Sequence, residues 1–172
     1  MDAPWVLREA TPADAAAMLA FMDALLSEGD VDIPLQPGEF DIPLEQEEGI
    51  LQEYADADNA IFLLAELEGE IIGLLNLRGG RRAALRHVAD LGISIALPWR
   101  GKGVGNSLMV EAVSWARANP VLKRIELNVY ARNAAGIHLD KKHGFEIEGR
   151  RRSAIYQGGE YLDDLIMALM LD

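Results

Sequence analysis

Hydrophobic and polar positions follow two different periods along this chain of 172 residues. Apolar runs at residues 61–67 and 70–77, separated by Glu68 and Gly69, predict a β-hairpin. Between residues 90 and 97 every second residue is apolar, which predicts a strand with one apolar face. Between residues 105 and 118 the apolar residues recur at helical spacing. The pattern therefore predicts a strand, a loop and a helix in succession at the centre of the chain.

The remaining pattern completes a mixed α and β order. Thr11 as cap and Pro12 at the first helical position predict a helix that reaches about residue 27. Further strands are predicted at 5–10, 124–130, 145–150 and 161–171, and further helices at 45–55 and 133–142. The proline-rich, acidic stretch 29–48 predicts a long loop, either a functional lid or a solvated connector. With no internal repeat or domain boundary, we expect one domain over residues 1–172.

Composition excludes several classes of site. The chain has no cysteine, which excludes disulfides, thiolate metal ligands and a cysteine nucleophile. Its apolar runs are shorter than the roughly 20 residues of a membrane span. No basic flank precedes an apolar run after Met1, so we expect neither a signal peptide nor a transit peptide, and a cytoplasmic location.

The net charge of −12 changes the range of expected partners. It argues against nucleic acid, because lysine and arginine supply most of the affinity for phosphates. It favours cationic or amine substrates through long-range attraction, although an acidic surface also serves solubility alone.

A glycine-rich segment carries the first chemical signal. The run Arg100-Gly101-Lys102-Gly103-Val104-Gly105 lies between the alternating strand and the amphipathic helix. Glycines allow close approach of a ligand to the backbone, and the free N–H groups of a helix start bind anions. A pyrophosphate suits this site. The spacing matches neither the nucleoside triphosphate loop nor the dinucleotide fingerprint, and a turn without a ligand is the alternative.

Two motifs together resemble a known family. The pattern Arg100-x-x-Gly103-x-Gly105 resembles the coenzyme A pyrophosphate motif of the GNAT acetyltransferases. Residues 133–145, which read Asn-Ala-Ala-Gly-Ile-His-Leu-Asp-Lys-Lys-His-Gly-Phe, are similar to the second motif of that family. The C-terminal segment from Glu148 to Ala168 resembles the subgroup that acylates free amino acids and related small amines.

The resemblance implies an α/β (α+β) GNAT fold, with a mixed, mostly antiparallel twisted sheet of six to seven strands and about four flanking helices. Acetyl-CoA would be the co-substrate, and the acceptor would be a primary amine of a small molecule that attacks it directly. A homodimer is compatible with the resemblance. Two alternatives stay open, namely a protein N-terminal or lysine acetyltransferase, and a non-catalytic acyl-CoA sensor of the same fold.

The resemblance also implies a coenzyme site. Ile95, Ala96 and Leu97 would line the thioester end, and Asn133 would bind the pantetheine arm or cap a helix, two compatible roles. The remaining candidate coenzyme residues form one continuous segment, namely Arg100, Gly101, Lys102, Gly103, Val104, Gly105 and Asn106. Backbone N–H groups within this segment would hold the pyrophosphate, namely those of Arg100, Gly101, Gly103, Val104 and Gly105.

The implied chemistry requires an amine to lose a proton and a thiolate to leave. Asp90 is the candidate base, although it could instead bind a substrate ammonium or pair with His87 or Arg86. Asp140 stands where the family has a tyrosine, the presumed general acid. An exposed aspartate would be ionised at neutral pH, so either Tyr130 substitutes as donor or burial raises the pKa of Asp140. An inactive descendant is a further alternative.

We predict no metal site, because the three histidines, His87, His138 and His143, lack the spacing of metal ligands.

Overall fold

The computed structural model of the protein describes residues 4–36 and 38–172. The start of the chain at Met1, on which the expectation of no leader depends, lies outside the described residues. Pro37 of the predicted long loop also lies outside them.

One seven-stranded sheet and four α-helices form the structure of the described residues. The strands lie in the order β1-β2-β3-β4-β5-β7-β6, and all neighbours are antiparallel except β4 and β5. The predicted fold class is therefore confirmed. In chain order the elements are β1 (Val6–Glu9), α1 (Ala15–Leu26), α2 (Leu44–Asp56), β2 (Ala60–Leu67), β3 (Glu70–Gly79), β4 (Val88–Ile95), α3 (Val104–Ala118), β5 (Arg124–Tyr130), α4 (Ala134–Lys142), β6 (Glu146–Gln157) and β7 (Glu160–Met170).

The parallel pair β4 and β5 opens the sheet at its centre. The two strands are paired only at Val88, Ala89 and Asp90 of β4, and beyond those positions they diverge. Because a strand without a neighbour leaves backbone N–H and C=O groups free, this divergence creates a gap whose walls can bind a ligand. The gap lies directly before α3.

Helices cover both faces of the sheet. Helix α3 buries Val104, Leu108 and Met109 in the larger hydrophobic core, together with side chains of β2 to β5 and β7. Helices α1 and α2 cover the other face and bury a smaller core that includes Leu51 and Leu64. The gap between β4 and β5 therefore connects the α3 side of the sheet to the α1 and α2 side.

The predicted strand 90–97 is two residues too long at its C-terminal end. Strand β4 ends at Ile95, and residues Leu97–Trp99 form a short 3-10 turn instead. Pro98 explains the difference, because proline has no N–H to continue the ladder and its fixed φ suits the start of a helical turn. Leu97 is consequently 58% exposed rather than part of a strand face.

The loop between α1 and α2 is held against the C-terminal half of the protein. Arg132, just after β5, pairs with Asp30 and Asp32 of the loop at 3.1 and 2.8 Å. Gln157 of β6 donates from Nε2 to the carbonyl oxygens of Val31 and Ile33. These contacts hold the loop against the ends of β5 and β6 and argue against a freely solvated connector.

Candidate active site

The start of α3 has the backbone geometry of an anion site. Gly101 and Gly103 adopt left-handed conformations with φ of 69° and 97°. The helical ladder begins with the bond from Ser107 N–H to Gly103 C=O, so the N–H groups of Val104, Gly105 and Asn106 have no acceptor within the helix. Together with the positive end of the helix dipole, these groups favour a phosphate or pyrophosphate.

Some of the predicted coenzyme residues are engaged with other parts of the protein. The N–H of Arg100 donates to Leu97 C=O at 3.3 Å, and its guanidinium binds Ile95 C=O at 2.9 Å and Glu28 at 2.5 Å. Its predicted backbone contact with pyrophosphate therefore competes with an internal bond. The ammonium of Lys102 lies 4.9 Å from the centroid of the Trp99 ring.

Two further residues of the segment serve the packing of α3. The side chain of Val104 is fully buried in the larger core, so only its backbone can face a ligand. The side-chain oxygen of Asn106 lies 3.1 Å from Nε2 of His143, which follows α4. This contact links the start of α3 to the end of α4.

A cleft of about 460 Å³ runs from this helix start along the open edge of β4, and we name it the α3 cleft. Ile95 lines it, as do Gly101, Gly103 and Gly105. Ala96 packs instead against the α1 and α2 core. Leu97 lies in the exposed turn, so the predicted lining role falls to Ile93, Ser94 and Ile95 rather than to residues 95–97.

The backbone of β4 offers hydrogen-bond donors to the α3 cleft. Ala96 donates its N–H to Ile72 of β3. Because successive residues of a strand direct their N–H groups to opposite edges, those of Ile93 and Ile95 face the gap toward β5. Asn133 lines the same cleft and caps α4, where its side-chain oxygen accepts from Gly136 N–H at 2.9 Å.

A second cavity, of about 430 Å³, lies under α1 and α2, and we name it the α1–α2 cavity. Ile93, Ser94, Asn133 and Leu139 line both this cavity and the α3 cleft. The two spaces therefore meet in the gap between β4 and β5, and molecules bound in each would touch there.

Asp140 follows Leu139, which lies at this junction, and lines the α1–α2 cavity. The residue is only 3% exposed. Burial raises the pKa of its carboxyl group to about 7, and no described residue donates a hydrogen bond to that group. Of the alternatives that the sequence left open, the structure supports a buried aspartate with a raised pKa.

Tyr130 also lines the α1–α2 cavity, but its hydroxyl proton is engaged. The hydroxyl donates to the side-chain oxygen of Gln157 at 2.8 Å. Burial, with a smaller contribution from the charge of Asp32, raises the pKa of Tyr130 to about 12. Tyr130 is therefore a weaker proton donor than Asp140 in this site.

Asp90 lies at the rim of the site rather than inside it. It shares a strand face with Gly92 and Ser94, as expected, and pairs in register with Arg78 and Glu126. Desolvation of a carboxyl group that is only partly covered, together with the charge of Glu126, raises its pKa. Nevertheless the residue is exposed and absent from the lining of both cavities. The arrangement does not bring Asp90 into direct contact with a ligand in either space.

We therefore expect Asp90→Asn to lower kcat/KM by less than about tenfold at pH 7, below the range of about 10²- to 10⁴-fold for a general base. The measurement is kcat/KM between pH 6 and pH 9. A loss of a hundredfold at pH 7 that shrinks at pH 9 would instead show that Asp90 removes the proton through water.

Sequence reasoning missed the contribution of α2 and β3. Glu47 lines the α1–α2 cavity and is 9% exposed, although the acidic segment around it suggested solvent. Tyr54 lies about two turns further along the helix, and its hydroxyl accepts from the amide of Asn76 at 3.0 Å. Among residues 4–36 and 38–172, no group of three or more side chains is arranged to hold a metal ion. No helix in that part of the chain is long and apolar enough to cross a membrane.

Comparisons with known proteins agree with the two motifs. The family model described as the Acetyltransferase (GNAT) family matches residues 30–145. An L-amino acid N-acetyltransferase of Escherichia coli is 36% identical over 121 residues, which cover 68% of this chain and 72% of the relative. An aminoglycoside N(6')-acetyltransferase type 1 of Stenotrophomonas maltophilia is 33% identical over 122 residues, which cover 64% of this chain and 67% of the relative.

A solved structure extends the likeness to nearly the whole chain. An acetyltransferase of the GNAT family from Streptococcus pneumoniae matches with a TM-score of 0.93 and 36% identity, and the match covers 98% of this chain and 99% of that one. The chain therefore belongs to the GNAT acetyltransferase family and is an acyl-CoA-dependent N-acyltransferase.

Proposed function

We propose that the protein transfers an acetyl group from acetyl-CoA to a primary amine of a small molecule, by direct attack of the amine. One observation carries this proposal. The α3 cleft, with its anion-binding helix start, opens into the α1–α2 cavity, and a buried carboxyl group lies at the junction. Two substrates in these spaces would meet beside Asp140.

The α3 cleft has the donors that the co-substrate requires. The N–H groups of Gly103, Val104 and Gly105 would bind the pyrophosphate, and Asn133 would bind the pantetheine arm. The N–H groups of Ile93 and Ile95 face the gap, where they would stabilise the negative charge that develops on the thioester oxygen. Acetyl-CoA supplies the activated acyl group in this site.

Asp140 is suited to move the proton that the reaction displaces. An alkyl amine has a pKa near 10.4, so it must lose a proton to attack, and a thiol has a pKa of about 8.5. The new C–N bond forms as the C–S bond breaks, and one proton passes from nitrogen to sulfur. Because the pKa of Asp140 is about 7, its carboxyl group can take that proton and return it near neutral pH.

The α1–α2 cavity, in which the acceptor would bind, favours small molecules over protein chains. It lies beneath α1, α2 and the loop between them, and it holds about 430 Å³, the size of a small-molecule pocket. The two relatives named above act on amino acids and aminoglycosides, which are small amines. A buried carboxyl group with a pKa of about 7 beside the junction also argues for an enzyme rather than a sensor.

The test is release of free thiol from acetyl-CoA in the presence of a panel of free amines and peptides, with mass spectrometry of the products. We expect acetylated free amines and unmodified peptides. Coenzyme binding without thiol release across the whole panel would favour the sensor, and acetylated peptides alone would favour the protein-modifying alternative.

A further inference from the structure

The α1–α2 cavity is lined by carboxylates and by no basic side chain. Asp32, Glu47 and Asp140 contribute carboxyl groups, whereas no lysine, arginine or histidine is among the described residues that line it. The other lining side chains are apolar or neutral. A molecule in this cavity therefore meets acidic groups, and no basic side chain lines the same space.

Two of the three carboxyl groups have no partner in the protein. Glu47 is 9% exposed and Asp140 is 3% exposed. Burial alone raises the pKa of each, and no hydrogen bond or ion pair from a described residue reaches either carboxyl group. Buried charged groups are normally paired, because leaving one unpaired in a low dielectric is costly. Both groups thus lack a cation that a ligand could supply.

The nearest arginines are engaged elsewhere. Arg132 pairs with Asp32 at 2.8 Å and with Asp30, so it offsets the charge of Asp32. Arg78 pairs with Glu53 at 2.5 Å, lies over the ring of Tyr54, and lines a different cavity. Neither arginine lines the α1–α2 cavity, so a carboxylate of a substrate would have no cationic partner there.

Glu47 and Asp140 approach the cavity from different elements. Asp140 belongs to α4 at the junction with the α3 cleft, whereas Glu47 belongs to α2, together with Leu51 and Tyr54 on its buried face. Of these two residues, only Asp140 is adjacent in the chain to a residue that lines both spaces. A ligand that reaches both carboxyl groups would place one nitrogen near the thioester and a second cation near α2.

We infer that the acceptor is a diamine or polyamine without a carboxylate, whose reacting nitrogen lies at Asp140 and whose second ammonium is bound by Glu47. This inference rests on the proposed function. It differs from what the amino acid acetyltransferase of Escherichia coli would suggest, because a free amino acid brings a carboxylate into a cavity that already holds unpaired acids. Like charges brought together in this way disfavour binding, whereas an ammonium pairs with them.

Three acceptors that differ by one group each provide the test, namely 1,5-diaminopentane, L-lysine and 1-aminopentane, with acetyl-CoA as donor. L-lysine adds only the carboxylate to the diamine, and 1-aminopentane lacks only the second amine. We expect kcat/KM for the diamine to exceed that for L-lysine at least about 100-fold. We expect it to exceed that for 1-aminopentane at least about tenfold.

Glu47→Gln tests the assigned residue. It should raise KM for the diamine at least about tenfold and reduce the preference for the diamine over 1-aminopentane below about threefold. Glu48→Gln, on the exposed side of α2, is the matched control and should keep the preference of the unaltered protein. An unchanged preference in Glu47→Gln would overturn the role of Glu47.

The outcomes separate the inference from the proposal beneath it. Turnover of L-lysine as fast as that of the diamine would overturn the inference and leave amine acetylation intact. Absence of turnover with every amine, in a protein that binds coenzyme A, would overturn the proposed function and the inference with it.

Discussion

Replacing Asp140 by asparagine should lower kcat/KM at pH 7 by about 10²- to 10⁴-fold, the range for a lost proton-transfer group. The effect should fall mainly on kcat, because the amide keeps the size of the carboxyl group but cannot accept the proton. The measurement is kcat and KM between pH 6 and pH 9, with coenzyme affinity determined separately by calorimetry.

The same variant should be more stable than the unaltered protein at neutral pH. The pKa of Asp140 is raised in the folded state to about 7, from an ordinary value of 3.8. Ionisation is thus easier in the unfolded chain, and the folded state loses stability as pH rises from about 4 to about 7. Asparagine removes that penalty, so we expect a gain of about 1 to 3 kcal/mol at pH 8, well below the full value of the shift.

A comparison of two pH values and two variants checks both effects. Thermal unfolding should show a clear gain in Tm for Asp140→Asn at pH 8 and little gain at pH 4, which lies so close to the ordinary pKa of 3.8 that the ionisation penalty on the folded state is small. Tyr130→Phe, which removes the donor to Gln157, should lower kcat less than tenfold and serves as the comparison. If Tyr130→Phe causes a larger loss of kcat than Asp140→Asn, Tyr130 rather than Asp140 transfers the proton.

Local patterns were sufficient to predict most of the elements and the glycine-rich turn before α3. The hairpin turn at Glu68 and Gly69 has both residues at positive φ, 52° and 85°, as a tight turn between two strands requires. The glycines before α3 adopt the left-handed conformations that only glycine tolerates well. These features depend on neighbouring residues alone, and sequence reasoning has direct access to them.

The residues of the α1–α2 cavity were harder to predict from the sequence, because their burial depends on packing between distant elements. Asp140 is buried by elements outside α4, and the residue pattern of α4 carries no information about them. Glu47 could have been found, since Glu47, Leu51 and Tyr54 recur at helical spacing and form the buried face of α2. The acidic composition of the surrounding segment made this buried face difficult to recognise. Asp90 was correctly placed on its strand face, but alternation cannot tell how far along the strand the cavity extends.

Gly105→Ala should weaken the binding of coenzyme A by about 10- to 100-fold while leaving the fold intact. Gly105 lies in the first turn of α3 and lines the α3 cleft. An added methyl group would lie 3.3 Å from the side chain of Leu139 and 3.8 Å from those of Ile93 and Ile95, so the protein accommodates it with a small shift. The same methyl group would occupy space that the ligand needs beside the helix start.

Gly105 gives a cleaner test than Gly103, whose φ of 97° strains any side chain even without a ligand. Alanine in a helix is instead favoured over glycine by about 1 kcal/mol, so Gly105→Ala should not lower Tm. Gly49→Ala on the exposed side of α2 is the matched control, because a methyl group there meets nothing within 4 Å and brings the same gain in helix propensity. Calorimetry with coenzyme A should show weaker binding only for Gly105→Ala. Equal affinity in the two variants would place the coenzyme away from the start of α3.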